Sequence, residues 1–127
     1  MKTRLSLLAI VTVLVVVTLA CGAASDLSTV SDTGKAFMAA LEKSDHTASW
    51  SLLDPAVQQE IGTYEDWIAF ATPYNFTDVK FSATNVENTQ ATMEGTAVLD
   101  GDKYDVLLVL GKSGENWLLT GINFNLK

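Results

Sequence analysis

One histidine, one cysteine and fifteen acidic side chains are the main reactive material this chain offers, so any chemistry must come from few residue types. His46 follows Asp45 where a helix would begin, a place from which an imidazole can serve as general base or metal ligand. No second histidine exists to complete a metal set, so it reads as a solvated first-turn residue and no metal site is expected. Gly111-Lys112-Ser113 has the form of the end of a phosphate-binding loop, but that loop needs a glycine where Val106 stands. A hairpin turn is expected there instead. Asp100, Asp102 and Asp105 lie close together, yet a calcium loop needs an oxygen ligand at the place of Tyr104 and a glycine at the place of Asp105. They read as a solvated acidic turn. Asn75-Phe76-Thr77 has the form of a glycosylation acceptor, which has meaning only on a eukaryotic secretory route.

Cys21 is the residue with the strongest chemical context. Lys2 and Arg4 precede an uncharged stretch from Leu5 to Ala20, rich in Leu, Val and Ala, which is the layout of a signal peptide. The stretch is shorter than the ~20 apolar residues of a relaxed membrane span, and it ends at a small residue and a cysteine rather than at charge. Thr18-Leu19-Ala20-Cys21 resembles the lipobox of bacterial lipoproteins, with Leu19 and Thr18 in the reverse of the commonest order. That resemblance implies cleavage before Cys21 and lipid on its sulfur. An exported domain normally uses cysteines in pairs, so lipidation also explains why this one is alone. A plain secretory signal or an uncleaved anchor helix would leave it unexplained. The chain is expected to be exported and lipid-anchored on the extracytoplasmic side of the cell membrane.

With residues 1–20 taken as signal, residues 21–29 read as the lipidated cysteine and a short tether, and 30–127 as one small domain. The mature part keeps six basic against fifteen acidic side chains, a balance of −9. Such a charge repels phosphate backbones and anionic headgroups, so nucleic acid is excluded as a partner and membrane attachment must come from the lipid.

The apolar periodicity divides the domain into a helical half and a strand half. From Ser28 or Ser31 as N-cap, Ala36, Phe37, Ala40 and Leu41 recur at helical spacing up to Lys43. Asp45 can cap a second helix carrying Ala48, Trp50, Leu52 and Leu53, and Asp54-Pro55 ends it. A short third helix spans Ala56 to Ile61. Thr63-Tyr64-Glu65-Asp66 has the form of a capping box opening a fourth, with Trp67, Ile68, Phe70 and Ala71, which Pro73 stops. Beyond it the period falls to two: Val79, Phe81 and Ala83, then Gln90 to Leu99, the turn Asp100-Gly101, Lys103 to Leu110, and Trp117 to Leu126. The expected architecture is α+β, with N-terminal helices packed on a four-stranded antiparallel sheet.

These elements resemble a known superfamily. The Ser-Asp turn, Trp50-Ser51-Leu52-Leu53-Asp54-Pro55 with Gln58-Gln59, and the closing Trp117-Leu118-Leu119-Thr120-Gly121-Ile122-Asn123-Phe124 are similar to the nuclear transport factor 2-like (cystatin-like) superfamily, and more narrowly to its small lipoprotein members. The likeness covers about Val30 to Leu126. It implies a curved sheet wrapped around the first helix as a cone, with a pocket inside. Isomerase-type members place an inward acid in the cone, and Glu94 and Asp105 are the possible counterparts, since a carboxyl buried there would have the raised pKa that proton transfer needs. Glu94 shares its face with Thr92 and Thr96, which favours solvation, whereas Asp105 shares its face with Leu107 and Val109. No cofactor is implied.

Two functions remain from different classes. The first is a non-enzymatic envelope lipoprotein holding a small apolar ligand or a protein, with Phe37, Trp50, Tyr64, Trp67 and Phe70 around the mouth of the cone; core packing is the competing role for each. The second is a cone-pocket isomerase or hydratase using Asp105 or Glu94. Superfamily members commonly dimerise through the sheet face away from the helices. The unbroken run Val106 to Leu110 leaves Leu107 and Val109 pointing that way, and simple alternation adds Trp117 and Leu119. A homodimer, or failing that another partner, is expected on that patch. Alternatively, twist or a bulge near Gly121 would turn this second set into the cone and leave the outer face polar.

Overall fold

In the computed structural model, residues 26–127 are described. Cys21, the signal segment and residues 22–25 of the tether lie outside them. Among the described residues, helix α1 covers 26–42. Residues 26–29, read as tether, therefore belong to the folded domain. Val30 is fully buried at the same spacing as Phe37, Met38 and Leu41, and the turn before it is held to the sheet through Asp26, whose carboxylate accepts from Lys112 and Trp117.

Three short helices follow, each opened by a side-chain cap. Asp45 accepts from the Ala48 N–H and starts α2 (His46–Ser51). Asp54 accepts from Ala56 N–H and, with Pro55 in the first turn, starts α3 (Pro55–Ile61). Thr63 and Asp66 exchange hydrogen bonds as a capping box at the head of α4 (Tyr64–Ala71). No helix among the described residues is long and apolar enough to cross a membrane.

The sheet is a meander of β1 (Thr77–Glu87), β2 (Gln90–Leu99), β3 (Asp102–Ser113) and β4 (Asn116–Leu126), antiparallel throughout and in sequence order. The result is an α+β fold with helices on a curved four-stranded sheet. Asp100 and Gly101 both take positive φ, as the two-residue turn between β2 and β3 demands. Gly111-Lys112-Ser113, expected as a turn, instead continues β3, and Gly114-Glu115 makes the reversal. Paired residues such as Gly111↔Leu118 and Lys112↔Trp117 carry the ladder through the sequence that looked like a loop.

Helix α1 lies on the middle of the sheet. The approach is close enough that a Cβ on Gly34 would displace the end of the Met93 side chain and reach Leu108 Cδ1 at 3.4 Å. Phe37, Met93, Leu108, Leu110 and Leu119 are wholly buried in the core between the layers. Both sheet edges are occupied or irregular. Along β4, Leu52 to Asp54 adds a short parallel bridge, with the Leu119 N–H donating to Leu52 O (2.8 Å) and Asp54 N–H to Leu119 O (2.9 Å). Along β1, two register shifts and the positive φ of Asp78 interrupt the ladder beside the exposed Lys80.

Candidate binding surfaces

The five aromatic residues expected around a pocket mouth divide between core and surface. Phe37 and Trp67 are buried with their rings 6.1 Å apart, and the Trp67 indole N–H donates to the Ser49 hydroxyl at 2.9 Å. Ser49 in turn donates to the His46 carbonyl, so this buried polar pair is fully satisfied. Trp50 and Tyr64 meet edge to face at 6.0 Å on the outside of the helical layer, where the Tyr64 hydroxyl bonds Thr47. Phe70 is 51 % exposed, stacked on Trp67 at 5.7 Å and followed by Tyr74, Phe76, Phe124 and Tyr104 in a continuous run of rings. That run ties α4 to the far half of the sheet. It is a packing seam in which Phe70 is the ring most open to solvent, not a lined pocket.

Glu94 and Asp105 do not enter the layer between helices and sheet. Their neighbours Met93, Val106 and Leu108 face inward, and strand alternation then points both carboxylates outward, where both are exposed. The structure does bring them together. They share a groove of about 390 Å³ on the outer face with Ser82, Thr96, Leu107, Asn123, Asn125 and Lys127, and Lys127 Nζ stands 3.7 Å from the Asp105 carboxylate. A second groove, about 410 Å³, opens between α1 and β1 over Met38, Val79 and Phe81, with Lys35, Glu42 and Asp78 at its rim. No sequence pattern marks this one, since it depends on how far β1 diverges from the helix.

The outer apolar patch differs from the expected one by a single residue of register. Trp117 and Leu119 are buried, at 2 % and 0 % exposure, under the helices. Leu110 pairs with Leu119 but Val109 with Gly121, so Thr120 is an extra residue in β4 and the alternation inverts across it. The grouping of Trp117 and Leu119 with Leu107 and Val109 is therefore corrected. Leu118 takes their place beside Leu107 and Val109, all three half-buried on the outer face.

A further cluster joins the chain's first described residue to the sheet. Lys112 Nζ lies 3.0 and 3.3 Å from the two Asp26 carboxylate oxygens, and the Trp117 indole N–H donates to the same carboxylate at 3.4 Å. These hydrogen bonds, from Lys112 and then Trp117, hold the Asp26 carboxyl below the usual carboxylate range. Sequence reasoning missed the contact because its partners are separated by 86 and 91 positions. His46 is half-buried, and among the described residues no group of three His, Cys, Asp or Glu side chains is placed to hold a metal ion.

No protein-family model matches the chain, and no curated protein does. Solved structures do. A protein of Bacteroides uniformis from the DUF4783 family superposes with a TM-score of 0.57 at 6 % identity, covering 73 % of this chain and 95 % of its own. A Campylobacter jejuni protein described as an NTF2-like transpeptidase superposes with a TM-score of 0.54 at 14 % identity, covering 70 % of this chain and 94 % of its own. At such identities the likeness is one of fold, and a fold of this kind does not choose a function.

Proposed function

We propose that this chain, which has an NTF2-like fold, is an exported, lipid-anchored protein that binds a partner rather than catalysing a reaction. The observation that carries the choice is the placement of the carboxylates. A cone enzyme needs an acid inside, whereas Glu94 and Asp105 stand in solvent and the interior is filled by Phe37, Met38, Trp67, Met93 and Leu108. The second reading, an isomerase or hydratase, now rests on the outer groove that the two carboxylates share. Anchoring is supported by the sequence around Cys21 and by its being the one cysteine. Replacing Cys21 by serine is expected to move the protein from the detergent phase to the aqueous phase on phase separation and to remove a lipid-sized mass. An intact protein whose Cys21 carries no modification would end the proposal.

The binding surface on this reading is the outer sheet face, and its occupant a second copy of the chain. Leu107, Val109 and Leu118 provide a half-exposed apolar centre, and a rim carrying Lys127 together with Asp105 and Glu94 is complementary to itself across a two-fold axis. A chain beginning at Ala24 should scatter light as a dimer, and Leu107→Asp should return it to a monomer. A wild-type monomer at high micromolar concentration removes the dimer while leaving the anchoring test untouched.

A further inference from the structure

Residues at opposite ends of the sheet differ in how far they stand from Cys21, and that difference fixes an orientation. Asp26 is held to Lys112 and Trp117, which face each other across β3 and β4 next to the Gly114-Glu115 turn. The Lys112 N–H donates to Thr89 O at 2.9 Å, which places the Asn88-Thr89 turn at the same end. The Asp100-Gly101 turn closes the other end, where Lys127 N–H bonds Lys103 O. Strands β2 and β3 pair from Gln90↔Gly111 to Leu99↔Asp102, so the two ends are about 30 Å apart at the ~3.3 Å rise of a strand residue. Cys21 and Asp26 are five residue steps apart, which span at most about 18 Å even when fully extended. Lipid on Cys21 thus keeps Asp26 within about 18 Å of the bilayer, and a domain resting on its Asp100-Gly101 end would hold Asp26 beyond that reach.

We infer that the domain stands on the membrane on the end formed by the start of α1 and the Asn88-Thr89 and Gly114-Glu115 turns, with the Asp26–Lys112–Trp117 cluster as the clamp that makes the short tether set its orientation. The surface facing the lipid carries Glu87 and Glu115. It stands off anionic headgroups instead of adhering to them, so the clamp and not surface adhesion supplies the order. The opposite end, with Lys127, the Asp100-Gly101 turn and the exposed Leu126, is presented away from the bilayer.

This inference rests on the anchoring of Cys21 proposed above, and the two can fail separately. Full-length protein purified from membranes would carry one added cysteine, Glu115→Cys or Asp102→Cys, labelled with a maleimide fluorophore and inserted in phosphatidylcholine vesicles doped with a headgroup-linked quencher. Both positions are exposed, and a lipidated Cys21 has no thiol left to label. Quenching should be several-fold stronger at 115 than at 102, and Asp26→Ala should narrow that gap while vesicle flotation is unchanged. Equal quenching at the two positions in protein that floats with the vesicles overturns the orientation, and a gap unaltered by Asp26→Ala overturns the clamp. A wild-type protein that takes the label at Cys21 and does not float refutes the anchoring itself.

Discussion

Replacing Trp67 by alanine is expected to cost about 3–5 kcal/mol of folding stability, the range for a large aromatic lost from a core. Trp67 is 1 % exposed, its ring packs between Phe37 and Phe70, and its indole N–H is the hydrogen bond that joins α4 to Ser49 of α2. The Trp50–Tyr64 ring contact and the Tyr64–Thr47 hydrogen bond also join α2 to α4, but both are at the surface, whereas Trp67 is in the core. A domain of this size has only about 5–15 kcal/mol in all, so the loss is a large share of the total and the unfolding midpoint should fall markedly. Urea unfolding followed by far-ultraviolet circular dichroism measures it. Ser49→Ala isolates the polar part: it leaves a buried indole N–H without its acceptor, at a cost of about 1–3 kcal/mol. A Trp67→Ala loss below about 1 kcal/mol, the centre of ordinary substitutions, would show that the helical layer is not held in this way.

Gly95→Ala is expected to destabilise by about 3 kcal/mol or more, at the upper end for overpacking. A Cβ there would run into the Lys80 carbonyl oxygen and stand 2.9 Å from Phe81 Cα. Those atoms are backbone, and they lie where β1 and β2 shift register between Phe81 and Ala83. Strand β1 must therefore move as a unit or lose its pairing. Gly34 provides the contrast, because the obstacle there is the flexible end of Met93, and alanine gains up to about 1 kcal/mol of helix propensity. Hydrogen exchange should show lost protection along β1 in Gly95→Ala and little change in Gly34→Ala. Equal effects of the two substitutions would refute the distinction between a backbone and a side-chain obstacle.

Local signals carried much of the fold. Asp45, Asp54 and the Thr63/Asp66 pair start helices because a short acceptor side chain beside free N–H groups is a local arrangement that needs no tertiary contact. Strand alternation likewise placed Val106, Leu108 and Leu110 inward from their spacing alone. What escaped were features decided at a distance. The extra residue Thr120 obeys no composition rule, yet it reverses which of Leu118 and Leu119 is buried. The helical turn at residues 26–29, which includes Ser28 and precedes Ser31, is tied to a partner on β3 that no local pattern announces. For the candidate site, the outward direction of Glu94 was readable from Thr92 and Thr96, whereas Asp105, sharing its face with the apolar Leu107 and Val109, gave no clear direction. That the two carboxylates share one groove follows only from cross-strand register, because β2 and β3 pair Glu94 with Leu107 and Asp105 with Thr96. The aromatic residues show the limit of residue type: the same kind of ring is sealed in the core at Phe37 and open to water at Phe70.

The treatment of the two sheet edges bears on how densely such a protein can be packed. Under the anchoring proposed above, chains confined to a membrane plane would meet one another at an effective concentration far above their average in solution. Open strand edges would then invite runaway lateral polymerisation, ladder to ladder. On one flank, the Leu52–Asp54 segment already occupies the hydrogen-bonding groups of Leu119. On the other, the kinks of β1 and the Lys80 ammonium deny a neighbour a straight ladder to extend. Each edge thus offers a crowded neighbour only a short straight ladder, which disfavours strand-to-strand growth relative to contact through the broad faces.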